Sequence, residues 1–161
     1  LGKEINLQLL VCGSYLSSDH SKDANNEIKR FKKKLPKNIT LTGYREDTLS
    51  IFHASDIYCL PSWREGMPRT IIEAMMCELP IIASDIRGCR EIVKHKHNGI
   101  LIQPKSKNQL KKALKELVIS KELRDNYGRE GLKKSLKNFK EIDYIKKQIN
   151  IFNFYQNKLD I

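Results

Sequence analysis

The chain has 161 residues, 40% apolar and 30% charged: long enough for one domain with its own core and too short for two of ordinary size. Its apolar runs are only a few residues long, far from the ~20 that a bilayer span needs, and the composition excludes a collagen or a disordered tail. The 30 Lys and Arg against 19 Asp and Glu leave a net charge of +11, which selects an anionic partner: nucleic acid, a membrane surface or a phosphorylated substrate.

Short β-rich runs alternate with helical patterns. Leu7 to Cys12 reads as a strand, followed by a polar helix near 22 to 34, a strand at Ile39 to Thr42 and a helix near 46 to 54. Ile57 to Leu60 is a strand, then come a helix near 69 to 77, the strand Ile81 to Ser84, a short helix near 89 to 94 and the strand Gly99 to Ile102. Nearly continuous apolar strands separated by single helices predict an α/β domain, a Rossmann-like doubly wound parallel sheet covered on both faces. From 106 onward the periodicity is helical only: Leu110, Leu114 and Leu117 mark one helix, Leu123 to Leu136 a second, and Ile142, Ile145, Ile149 and Phe152 a third.

Ligands of such sheets bind beyond the carboxyl ends of the strands, so the turns there carry the functional reading. Gly13-Ser14 after the first strand suits either close backbone approach or a plain tight turn. Gly43-Tyr44-Arg45 after the second offers an aromatic face and a cation, or is a surface turn. The third turn, Pro61 to Thr70, is the informative one. Pro68 fits the first helical position, so the helix opens with free N–H groups facing the strand ends, an anion site flanked by Arg64 and Arg69. Gly66 lets a phosphate or diphosphate approach the backbone, and Glu73, one turn into the helix, can accept hydrogen bonds from hydroxyls attached to it. Glu65 and Glu73 beside a phosphate would repel it unless they face hydroxyls, which points to a sugar-phosphate ligand. Glu-x7-Glu spacing alone is weak: 11 Glu give about 0.75 such pairs by chance, and Glu122 and Glu130 repeat it in a Lys-rich tract that reads as solvated surface.

Ser55 to Ser62, Arg64-Glu65-Gly66-Met67-Pro68, Ile72-Glu73-Ala74-Met75, Leu79 to Asp85 and Asn98 to Ile102 together resemble the C-terminal, donor-binding half of the family 4 retaining glycosyltransferases of the GT-B fold. The resemblance covers about residues 5 to 157. It implies that Glu65 lies at the transferred sugar, the catalytic position, and that Glu73 binds the ribose. Backbone groups from Met67 through Pro68 and Arg69 to Thr70 would hold the diphosphate, and Gly43, Tyr44 and Arg45 would lie against the base. Arg64 to Arg69 with Ser84 to Glu91 resembles the branch that builds capsule, lipopolysaccharide or polyprenyl-linked glycans. The family often has Gly where Pro68 and Glu78 stand. Its members also carry an N-terminal acceptor domain, and a strand and helix before the position of Leu7. Leu1-Gly2-Lys3-Glu4 has no initiator Met, and the chain is expected to be a piece of a longer protein.

Other candidates are weaker. Cys12, Cys59, Cys77 and Cys89 form no CxxC pair or zinc spacing and are expected to be reduced, mostly buried thiols of a cytoplasmic protein. His95 and His97 flank Lys96 without a carboxylate pair and read as surface residues. Ser14, Ser62 and Ser84 follow strands with no nucleophile elbow around them. Glu91 either reaches the donor sugar or sits in the first turn of its short helix, where a carboxylate favours the dipole. Of the 30 basic residues, 22 are Lys, in clusters without aromatic interleaving, so no specific nucleic-acid partner is expected.

The expectation is therefore a single domain, 1–161, the nucleotide-sugar-binding half of a retaining glycosyltransferase using a UDP- or GDP-sugar, without metal or cofactor. Its partners would be an N-terminal acceptor-binding domain and, peripherally, an anionic membrane. The rival readings are a basic module that binds nucleic acid or anionic lipid without chemistry, and the nucleotide-binding half of another GT-B enzyme such as an epimerase.

Overall fold

A computed structural model describes residues 7–13 and 34–159. They fall into two compact units, Leu1–Thr48 and Leu49–Ile161. In the first, β1 (Leu9–Cys12) pairs in parallel with β2 (Ile39–Gly43), Leu9 opposite Ile39 and Val11 opposite Leu41. The register slips after Val11, so that Cys12 faces Gly43, and the Gly13 N–H donates to the Gly43 carbonyl at 2.9 Å. Gly13 and Gly43 have φ of +138° and +72°, values that side chains other than glycine adopt only with strain. The helix expected near 22 to 34 lies outside the described residues, apart from Lys34, a turn residue. Helix α1 (Thr48–His53) leads into the second unit.

There β3 (Tyr58–Leu60), β4 (Ile81–Ser84) and β5 (Gly99–Ile102) form a parallel sheet in that order, with Leu60 opposite Ala83 and Ser84 opposite Ile102. Helix α2 (Arg69–Met76) joins β3 to β4 and α3 (Arg87–Ile92) joins β4 to β5. Helices α4 (Lys107–Ile119), α5 (Lys121–Asn138) and α6 (Glu141–Leu159) complete the chain. Every residue of the central strand β4 is buried, because both of its faces are covered. Ile81 and Ala83 pack with Ile71, Ala74 and Met75 of α2 and Cys89 and Ile92 of α3. Ile82 packs with Ile100, Ile102, Ala113, Leu117 and Tyr127 on the other side. Alternate residues of one apolar run thus feed two cores, the arrangement of an α/β doubly wound sheet.

Several details depart from the sequence expectation. Pro68 has φ −70° but ψ 102°, so it caps α2 from extended backbone and Arg69 is the first helical residue. Helix α3 starts at Arg87, two residues early, and Glu91 lies in its last turn, where a carboxylate gains nothing from the dipole. All four cysteines are free, yet of them only Cys89 is buried; Cys12 is exposed and Cys59 and Cys77 are half-buried. The apolar stripe of α6 is exposed at Ile142, Ile145, Ile149 and Phe152 rather than packed on a core of its own. Among the described residues no helix is long and apolar enough to cross a membrane.

Candidate functional site

The loop from Pro61 to Pro68 follows β3 and delivers the chain into α2, whose first turn no side chain caps. Pro68 accepts from the Ile71 N–H at 3.1 Å, which leaves the N–H groups of Arg69 and Thr70 without an acceptor among the described residues. Two adjacent free donors at the positive end of a helix, with the exposed guanidinium groups of Arg64 and Arg69 beside them in sequence, favour an anion. Gly66 has open space around the position its Cβ would occupy, so a ligand group can come up to the backbone there.

Glu65 and Glu73 are both half-buried, and neither side-chain carboxylate forms an ion pair or accepts a hydrogen bond among the described residues. The Tyr58 hydroxyl registers both of them. Burial is the main cause that raises it above its ordinary value, and the charges of Glu65 and Glu73 raise it further, against a hydrogen bond with Thr70 that lowers it. Both carboxylates therefore act on the Tyr58 hydroxyl, which bonds to Thr70 at the α2 opening. Cys89, beneath the same loop, is pushed up to about 11 by burial and by the charge of Glu65. Both groups keep their protons at neutral pH.

Gly88 is the residue the sequence reading passed over. A Cβ there would stand 1.8 Å from the Gly66 carbonyl oxygen and 2.7 Å from that of Glu65, so the first turn of α3 packs directly on the backbone that carries Glu65. The visible signal is a glycine two residues after Ile86 at the start of a helix, a position where propensity alone would avoid it. Arg90 pins the neighbouring turn through bonds from Nη1 to the Asp85 carbonyl at 3.1 Å and Oδ1 at 3.0 Å.

Trp63 is 68% exposed, and the Lys105 ammonium lies 4.3 Å from its ring centroid, which ties the loop after β3 to the loop after β5. In the first unit, Tyr44 is 72% exposed. Arg45 donates to Asp47 from Nε at 2.7 Å, a pairing that holds the Asp47 carboxyl below its usual range.

Of the remaining candidates, Ser14 lies outside the described residues and the two histidines make contacts of their own. His95 Nδ1 accepts the Leu101 N–H at 3.0 Å, and His97 Nε2 lies 3.7 Å from Glu130. Ser84 is buried with no partner for its hydroxyl among the described residues, so no triad forms on it. Among the described residues no group of three metal-ligating side chains comes together. A concavity of about 350 Å³ between β5 and α4, lined by His95, Lys112 and Glu116, contains none of the residues predicted for a ligand.

Residues 2–134 match the family model described as glycosyl transferases group 1. The chain is 45% identical over 69 residues to the UDP-Gal:alpha-D-GlcNAc-diphosphoundecaprenol alpha-1,3-galactosyltransferase of Escherichia coli, a match to 43% of this chain and 18% of that protein. It is 26% identical over 134 residues to the capsular polysaccharide biosynthesis glycosyltransferase CapM of Staphylococcus aureus, 83% of this chain and 34% of that one. The chain therefore spans between about a fifth and a third of these two relatives. The Anabaena protein HepE, solved in complex with UDP, superposes with a TM-score of 0.79 at 21% identity over 91% of this chain and 41% of its own. The chain belongs to the glycosyl transferases group 1 family, of family 4 type and GT-B fold.

Proposed function

We propose that this chain is the donor half of a retaining glycosyltransferase that uses a UDP-sugar to extend a cell-envelope glycan or a lipid-linked acceptor. The observation that carries the reading is the pair Glu65 and Glu73, half-buried and unpartnered among the described residues, beside two free N–H groups at the α2 opening. Carboxylates accept from sugar hydroxyls, and the N–H groups with Arg64 and Arg69 take the diphosphate. Glu73 is assigned to the ribose and Glu65 to the transferred sugar. Met67 and Pro68 set the backbone of the phosphate turn, and Gly66 leaves room for it. As the bond between C1 and the phosphate oxygen breaks and that between C1 and the acceptor oxygen forms, negative charge grows on the departing nucleoside diphosphate. Fixed donors already aimed there stabilise it. The exposed ring of Tyr44, in the turn of Gly43 and Arg45, is assigned to the base, with Gly13 beside the first strand. UDP is favoured over GDP because the Escherichia coli relative is named for a UDP donor and the Anabaena structure holds UDP.

Two observations support an acceptor domain beyond this chain. The relatives are about three to six times as long as the matched stretch, and α6 exposes an apolar stripe suited to a partner surface. Cytoplasmic location with peripheral attachment fits the +11 charge, since each basic residue at an anionic surface contributes ~1 kcal/mol. The test uses the single tryptophan, two residues from Glu65. Titrating UDP, GDP and ADP while following Trp63 fluorescence should give saturation with UDP. Silence toward all three would remove the donor site. The isolated chain is expected to transfer no sugar until the acceptor half is supplied, because the facing domain completes positioning; robust turnover by 1–161 alone would contradict that.

A further inference from the structure

Tyr58 stands at the start of β3 and Thr70 is the second residue of α2. The Tyr58 hydroxyl donates to Thr70 Oγ1 at 2.8 Å. A phenol is a far stronger acid than an alkyl hydroxyl, so the shared proton belongs to the tyrosine. Burial and the two nearby glutamates raise the phenol's value, which keeps that proton in place at neutral pH. The ring itself is anchored separately: it meets buried Phe52 edge-on, with centroids 5.7 Å apart at 69°. A threonine hydroxyl has one proton and two lone pairs. With a lone pair taken from the protein side, Thr70 is left with its proton to give. Thr70 is exposed, and no acceptor for that proton exists among the described residues.

We propose that Tyr58 is a positioning residue of the donor site, which by bonding to Thr70 Oγ1 holds the Thr70 hydroxyl as a donor to the diphosphate, beside the free N–H groups of Arg69 and Thr70. This rests on the donor-site reading given above. The contribution is specific to the phosphates: an anion there receives two backbone donors and one hydroxyl whose polarity is fixed in advance, so no hydroxyl has to be turned round as it binds.

The experiment compares UDP with uridine on the full chain, by calorimetry and ligand-observed NMR. Tyr58→Phe keeps the ring and its contact with Phe52, removes the hydroxyl, and should weaken UDP about three- to tenfold, the worth of one hydrogen bond, without changing uridine. Thr70→Val should match it, Thr70→Ser should restore binding close to the wild-type value, and the double variant should lose no more than Thr70→Val alone. A purely structural role for Tyr58 would weaken uridine and UDP together and make the two losses add; either result overturns the proposal. UDP binding that is lost in Glu73→Ala yet intact in Tyr58→Phe overturns this proposal alone. No UDP binding by the wild-type chain overturns it together with the donor-site reading.

Discussion

Two pairs of glutamates in this chain have the same spacing and opposite fates. Glu122 and Glu130 sit on one long helix, α5. Glu122 is in its first turn, where a carboxylate complements the helix dipole, and Glu130 takes a 2.6 Å bond from Lys133 with His97 at 3.7 Å on its other oxygen. Glu65 and Glu73 lie on either side of a strand-to-helix turn, half-buried, with no such compensation among the described residues. One pair is compensated within its helix, by the dipole at Glu122 and by Lys133 at Glu130, and the other is not, which is the ground on which Glu65 and Glu73 are proposed to meet a ligand. Spacing counts for little; what distinguishes the two pairs is whether the neighbours of each carboxylate already compensate its charge.

The sharpest way to break the comparison is to delete one member of each pair. Glu73→Ala should weaken UDP-sugar binding by about ten- to a hundredfold, since a hydrogen bond to a charged group is worth ~1.5–3 kcal/mol. Glu130→Ala should leave it unchanged. Equal affinities for the two variants, measured by calorimetry, would make the pairs equivalent after all.

A second contrast removes no charge. Gly88→Ala forces a methyl into the Gly66 carbonyl, and Gly128→Ala on α5 forces one into the Glu78 carbonyl, at 1.8 Å and 2.0 Å respectively before relaxation. Overpacking of this kind costs ~1–3 kcal/mol, so both variants should melt several degrees lower. Only Gly88→Ala should also weaken UDP-sugar binding, because only it displaces the backbone that carries Glu65. If both variants bind the sugar nucleotide like the wild type, the loop does not depend on α3.

The sequence legibly contained what is local. Continuous apolar runs marked the strands, and Pro68 after a strand announced a helix whose opening donors lack partners. What it hid is made by contacts across many residues. Tyr58 and Thr70 are 12 positions apart, and nothing in either neighbourhood announces their bond. Gly88 reads as a poor helix residue until the loop it supports is in view. Arg45 read as a free cation, and its tie to Asp47 depends on a turn geometry that composition does not encode. The thiols misled for the same reason: the apolar run around Cys59 implied that it was covered, whereas burial is decided by what packs over the strand, and Cys59 is half-buried.

A third glutamate is strained rather than satisfied. Glu78 adopts φ +56° where the chain turns from α2 toward β4, a conformation that costs a non-glycine residue ~1–2 kcal/mol. Glycine there loses ~0.5–1 kcal/mol through its greater freedom when unfolded. Glu78→Gly should therefore stabilise the chain by roughly 0.5–1 kcal/mol, seen as a raised denaturant midpoint with unchanged slope. A lowered midpoint would mean that the Glu78 side chain contributes more than its backbone costs.

The smallest effect belongs to the compensated pair and is visible only against pH. The bond from Lys133 is the largest cause that holds the Glu130 carboxyl below its ordinary 4.5, and the charges of Lys133, His97 and Arg129 act in the same direction. Because the folded value is the lower one, this carboxylate's contribution to stability is fully present above its unfolded value and is lost as pH falls through the folded value. Glu130→Gln should accordingly melt slightly below the wild type at neutral pH. The gap should stay constant down to about pH 5 and close on further acidification, as the wild-type carboxylate takes up its proton. Since the group is partly exposed, salt should shrink the same gap at neutral pH, through screening over a Debye length of ~10 Å at 0.1 M. A gap indifferent to both acid and salt would mean that Glu130 packs rather than pairs, and the contrast with Glu65 and Glu73 would then rest on shape instead of charge.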